Sequence, residues 1–136
     1  MSKKMEWDDK YSVGVEELDN QHKRMFNTIN ELLNSLETNT AEEHLGGVIE
    51  SLIQYKMFHF ATEEKYFEEF NYEGKDDHIA KHKFFNDKLE EMRSRNPNYN
   101  IEFGYELVDF LEDWLINHLM VTDQKYVECF HSHGLK

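Results

Sequence analysis

The sequence predicts an all-α fold: an up-down-up-down antiparallel four-helix bundle with an extended N-terminal arm and a short C-terminal helix. Three observations carry that prediction. Four stretches of helical length repeat apolar residues at i, i+3, i+4 and i+7, the period of one buried helix face. Short breaks rich in Asn, Thr, Gly or Pro separate them, and connections that brief make neighbouring helices antiparallel. The 136 residues contain one proline, Pro97, and no stretch alternates apolar and polar residues as a half-buried strand would.

Residues 1–15 read as an extended arm anchored by Trp7, Tyr11 and Val13, with Gly14 permitting a bend. The first helix, about 16–37, turns His22, Met25, Phe26, Ile29, Leu32, Leu33 and Leu36 inward. Its opposite face carries Lys23, Asn27, Asn30, Glu31 and Asn34. Thr40 and Glu43 have the spacing of a capping box for the second helix, about 41–70. That helix lines up Leu45, Val48, Ile49, Leu52, Lys56, His59, Glu63, Tyr66 and Phe67, with Lys56 standing where an apolar residue is expected. Gly74 punctuates the next turn, and the third helix, about 76–95, points His78, His82, Phe85, Leu89 and Met92 inward. Asn96, Pro97 and Asn98 stop it. The fourth, about 101–119, uses Leu107, Val108, Leu111, Trp114, Leu115 and His118, and a short tail helix covers about 122–131. A chain of this length, 1–136, forms a single domain that can bury a core without disulfides.

Composition narrows the function. Fifteen Lys and Arg stand against 28 Asp and Glu, a formal charge of −13, which repels nucleic-acid backbones and anionic membrane surfaces. No apolar run follows the first lysines as in a signal peptide, and none reaches membrane-spanning length. Cys129 is alone, so no internal disulfide forms and a reducing cytoplasm is the expected compartment. His44 reads as a surface residue, and His131 and His133 as part of a frayed tail.

The remaining histidines follow a pattern. His59 and Glu63 are four residues apart, as are His78 and His82, so each pair sits on one helix face. In an antiparallel bundle, residues equally far from a turn share one height. The midpoints between His22, the His59/Glu63 pair, the His78/His82 pair and the His118–Asp123 segment fall near residues 41, 70 and 100, at the three breaks. His22, His59, Glu63, His78, His82, His118 and Asp123 are therefore expected to meet at one level as metal ligands. Seven ligands are too many for one tetrahedral zinc, and five imidazoles argue against Mg²⁺ or Ca²⁺. Two borderline ions sharing the carboxylates, iron or manganese, account for the set. His118 and Asp123 are five residues apart, which predicts a π-bulge or break around Leu119 to Thr122.

The order His, HxxxE, HxxxH, HxxxxD, together with VGVEELDNQH near the start and DWLINHLMVTDQKY near the end, resembles the hemerythrins, in their single-domain bacterial form. The resemblance covers nearly the whole chain. It implies two iron ions with a bridging oxo or hydroxo oxygen. His78, His82 and His118 would hold the first iron, His22 and His59 the second, and Glu63 and Asp123 would bridge them. It further implies reversible O₂ binding, as a hydroperoxide, at the open position of the second iron, without enzymatic turnover. Met25, Phe60, Trp114, Leu115 and Leu119 would form the dry wall of that O₂ pocket. A monomer is expected, with O₂ as ligand and a separate protein partner only for delivery or signalling. The competing classes are a di-iron oxidase, a peroxide- or nitric-oxide-handling enzyme, and an O₂ or redox sensor. Ferritin-like oxidases use Glu-rich sites with ExxH pairs, unlike the HxxxE and HxxxH found here.

Overall fold

The structure is a computed structural model that describes residues 5–136; residues 1–4 of the expected arm lie outside the described residues. Four helical rods form the bundle. The first is α1 (Glu16–Glu37). The second joins α2 (Ala41–Tyr55), a π-helical turn (Lys56–Phe60) and α3 (Ala61–Glu69) without a break. The third is α4 (Lys75–Arg95). The fourth, α5 (Ile101–Asn117), passes through a second π turn (His118–Thr122) and a 3₁₀ turn (Asp123–Tyr126) into the short α6 (Val127–Ser132). Packing runs α1 on α2, α1 and α2 on α5, α3 on α4, and α4 on α5, which closes the bundle. No described helix is long and apolar enough to cross a membrane.

Asparagine ends two of the rods. Asn39 and Asn71 adopt left-handed φ values of 59° and 50°. The following amides close Schellman-type bonds, Thr40 N to Ser35 O at 2.8 Å and Tyr72 N to Phe67 O at 2.9 Å. This corrects one expectation. The Thr40 side chain makes no capping bond to α2; its hydroxyl pairs with that of Thr38 at 2.8 Å. Gly74, at φ −86°, stands in the turn just before α4, as expected. Asn71 supplies the left-handed turn at the end of the second rod, because an Asn side chain tolerates that region.

Met5, Trp7 and Tyr11 of the arm pack against the core. Trp7 and Tyr11 meet Phe26 edge-on at 5.5 and 5.3 Å. Asp19 holds it at the bend, accepting from Ser12 Oγ at 2.5 Å and Val13 N at 2.8 Å. Asn30, placed on the outer face by period alone, exchanges two hydrogen bonds with the Met5 backbone. Gly14 sits at φ +70°, and a Cβ there would lie 2.5 Å from His131 Nε2, which instead meets the Gly14 carbonyl at 3.0 Å. The C-terminal histidines are thereby tied down: His133 also stacks on Phe70 at 4.5 Å.

Two apolar clusters fill the interior. The larger runs from Met25 and Leu36 through Leu45, Leu52, Leu89 and Phe103 to Leu119. The smaller joins Val13, Val15 and Leu18 to Phe67, Tyr72, Tyr126 and Phe130. A buried polar layer lies between them. Phe60 and Trp114 of the larger cluster stack on His82 and His118, while Phe67 and Tyr126 of the smaller one face His78.

Candidate metal centre

That layer consists of the seven residues singled out by spacing. His22, His59, Glu63, His78, His82, His118 and Asp123 are all buried. Their ligand atoms fall into two overlapping groups, one of Glu63, His78, His82 and His118, the other of His22, His59, Glu63 and Asp123. Within each group the atoms lie within 4.8 Å of one another. The π turn at His118–Thr122 is what brings the fourth rod's contribution together. Its i→i+5 bonding lets five residues complete roughly one turn, so His118 and Asp123 share a face.

Both carboxylates span the groups. Asp123 Oδ2 is 3.0 Å from His22 Nε2, while its Oδ1 is 2.9 Å from His118 Nε2 and 3.1 Å from His78 Nε2. Glu63 Oε1 lies 3.0 Å from His82 Nε2 and 3.3 Å from His59 Nε2. Several of these contacts are not hydrogen bonds. His78 Nε2, His118 Nε2 and both Asp123 oxygens have no partner in hydrogen-bond geometry among the described residues, and neither has Glu63 Oε2. Ligands held at right angles by one cation, each about 2.1 Å from it, stand about 3 Å apart. The spacing is therefore that of donor atoms around shared cations.

Two outer contacts fix which nitrogen can bind metal. His59 Nδ1 donates to Gln21 Oε1 at 2.6 Å. His82 Nδ1 donates to the Glu64 carboxylate at 2.9 Å. In each neutral ring that leaves Nε2 as a bare lone pair. The His82 lone pair then faces Glu63 Oε1 at 3.0 Å and the His59 lone pair faces His22 Nε2 at 2.9 Å. Two acceptors meet at such distances only around a proton or a metal cation. The residues present thus fit a pair of cations, with Gln21 and Glu64 as orienting partners that spacing did not reveal. Glu64 does adjoin Glu63 in sequence, but nothing in the chain pairs Gln21 with a histidine 38 positions away.

Metal-free electrostatics reflect the same crowding. Burial pushes His59 down to about 3, against the pull of Glu63. Burial also acts to lower His78, but the neighbouring Asp123 and Glu63 carboxylates outweigh it and raise this imidazole to about 9. Burial, and for Glu63 the charge of Asp123, would raise both acids, yet the surrounding imidazoles hold them well below the usual carboxylate range. Burial, then the charges of Glu63 and Asp123, keeps the Tyr55 phenol well above its ordinary value. A pH dependence follows for the metal-free chain. The raised His78 contributes stability that is full below its unfolded value near 6.5 and is lost as pH rises through about 9. The depressed His59 contributes stability present above 6.5 and lost as pH falls toward about 3. The urea midpoint of the metal-free chain is expected to peak near pH 6.5 and fall on both sides. A midpoint still rising between pH 7 and 9 would contradict this charge arrangement.

All five residues expected in the apolar wall, Met25, Phe60, Trp114, Leu115 and Leu119, are buried and belong to the larger cluster. Phe60 lies parallel to His82 at 3.8 Å and 6°, and Trp114 parallel to His118 at 4.2 Å and 15°. The misfit at Lys56 also resolves: the wide π turn carries it partly out of the core, where its ammonium bonds to Asn86 on α4.

Comparison with known proteins agrees with this arrangement. A family profile described as the hemerythrin HHE cation binding domain matches residues 13–130. The chain is 34% identical over 122 residues to a bacteriohemerythrin of Pseudomonas paraeruginosa, covering 90% of this chain and 78% of that protein. It is 27% identical to a bacteriohemerythrin of Clostridium acetobutylicum, across 90% of this chain and 98% of the other. A hemerythrin-like protein of Naegleria gruberi is 30% identical, with 88% of each chain covered.

Proposed function

The chain belongs to the hemerythrin family, and on that footing we propose that it holds two iron ions and binds O₂ reversibly, as a carrier, store or delivery protein rather than an enzyme. His78, His82 and His118 would hold one iron, His22 and His59 the other, and Glu63 and Asp123 would bridge. The observation that carries the reading is the inequality of the two histidine sets across shared carboxylates: three imidazoles gather on one side and two on the other. The smaller set supports an open coordination position beside His22 and His59. When bound, the iron pair supplies the two electrons that O₂ takes up and returns.

The chain's own residues set the conditions for reversibility. Gln21 and Glu64 hold His59 and His82 with Nε2 inward. Glu63 and Asp123 stay deprotonated and neutralise part of the metal charge without titrating near neutrality. Met25, Phe60, Trp114, Leu115 and Leu119 exclude water, which slows irreversible oxidation of the metal. Leu115→Ala is accordingly expected to speed autoxidation severalfold, followed as decay of the oxygenated visible band; an unchanged decay rate removes Leu115 from the wall.

The test of the function is a visible spectrum taken after reduction, after exposure to O₂ and after its removal. A band that appears with O₂ and disappears without it supports the carrier. Rapid conversion to the oxidised form with substrate turnover or peroxide release overturns it in favour of a redox enzyme. Metal analysis finding fewer than two irons per chain overturns the di-iron reading itself.

A further inference from the structure

Tyr55 ends α2, one turn before His59, and its ring lies face to face with that imidazole at 4.8 Å and 21°. Phe60 meets the Tyr55 ring edge-on at 5.7 Å. The tyrosine also lines a groove of about 300 Å³ between α1 and the second rod, shared with Gln21, Met25, Phe58 and His59. One end of this side chain thus faces a surface groove while the ring covers the imidazole of the smaller histidine set.

Its hydroxyl is wholly buried and has no hydrogen-bond partner among the described residues. Buried hydroxyls seldom go unpaired, because the lost water contacts are not replaced. His59 cannot accept from it. The imidazole lone pair lies in the ring plane, whereas Tyr55 is stacked above that plane, and His59 Nδ1 is already committed to Gln21. The groups that act on the hydroxyl electrostatically are Glu63 and Asp123, the two carboxylates shared between the histidine sets. The Tyr55 side chain thus lies against the half of the centre that has fewer histidines, where an outside molecule would sit.

We propose that the Tyr55 hydroxyl donates a hydrogen bond to a small, negatively charged ligand held beside His22 and His59, making Tyr55 a binding residue of the open position; this rests on the di-iron reading above. The ring would place the donor, and its stack on His59 would hold the ring. A fixed donor favours ligands that gather negative charge on binding over neutral ones of the same size, so Tyr55 sets selectivity as well as affinity.

The experiment uses the oxidised, two-iron protein and azide as the probe. Wild type and Tyr55→Phe are titrated by visible absorption, with iron content and thermal midpoint measured on the same samples. The variant keeps the ring and its stack, so two irons per chain are expected in both. Its azide Kd is expected to rise about tenfold or more, the effect of one hydrogen bond to a charged partner. The stretching frequency of bound azide should shift between H₂O and D₂O in wild type and lose that shift in the variant. Equal azide Kd values with two irons in each protein overturn the proposal and leave the di-iron reading standing. A variant that loses iron overturns it too, because Tyr55 then only supports His59. Wild type with fewer than two irons overturns the underlying reading and this inference with it.

Discussion

On the di-iron reading, Asp123→Asn is expected to lower the metal content from two irons per chain to below one. Asp123, like Glu63, faces both histidine sets, with Oδ2 3.0 Å from His22 and Oδ1 2.9 Å from His118. The asparagine keeps the shape but loses the charge and one of the two oxygen acceptors, so it cannot share itself between two cations. The metal-free fold suffers as well. His22, His78 and His118 all lean on this buried carboxylate, and breaking a buried charged cluster by removing one partner costs about 3–5 kcal/mol. Iron analysis and urea unfolding of the same preparations separate the two effects. Should Asp123→Asn retain both irons, the bridging assignment is wrong, whatever happens to stability. A companion Asp123→Ala variant guards against the asparagine binding metal through its remaining oxygen.

Phe60→Ala carries the second large effect, because one side chain serves both the core and the site. Phe60 is buried, lies flat on His82 at 3.8 Å and touches Phe85 at 5.6 Å and Trp114 at 5.8 Å. Removing the ring should destabilise the fold by about 3–5 kcal/mol through lost burial and the cavity left behind. That cavity would open beside the histidines, so on the proposed O₂-binding reading the oxygenated form should also autoxidise faster by roughly tenfold, as water reaches the metal. Phe58 is the internal control: two positions earlier on the same π turn it is 67% exposed, and Phe58→Ala should change stability by no more than about 0.5 kcal/mol. Thermal unfolding of the two variants tests the contrast. Equal losses would mean that the π turn is oriented differently from the arrangement described here.

The four rods were legible because their signal is local. A buried stripe at helical period, as in His78, His82, Phe85, Leu89 and Met92, is fixed by the backbone's 3.6-residue turn and needs no partner to be recognised. The π turn at His118–Thr122 was legible for a related reason: a five-residue spacing between two inward polar groups does not fit a regular helix. The π turn at Lys56–Phe60 gave only an indirect sign, a lysine on an apolar stripe. The cap of α2 misled because Thr40 and Glu43 carry the spacing of a capping box, while the bond that forms depends on the backbone turn set by Asn39.

Taken alone, the sequence determined which side chains share a helix face and which of them are too polar to be buried without a common partner. That is periodicity plus the cost of burying charge, and both act within one helix or one turn. Only the tertiary structure decided that Gln21 takes the proton side of His59, that Glu64 does so for His82, and that Tyr55 covers His59 with a hydroxyl that no described residue accepts from. Such pairings join residues on different rods, or turn on a ring's tilt within one. Their energy depends on distances of a few tenths of an ångström, which side-chain packing settles and spacing along the chain does not encode.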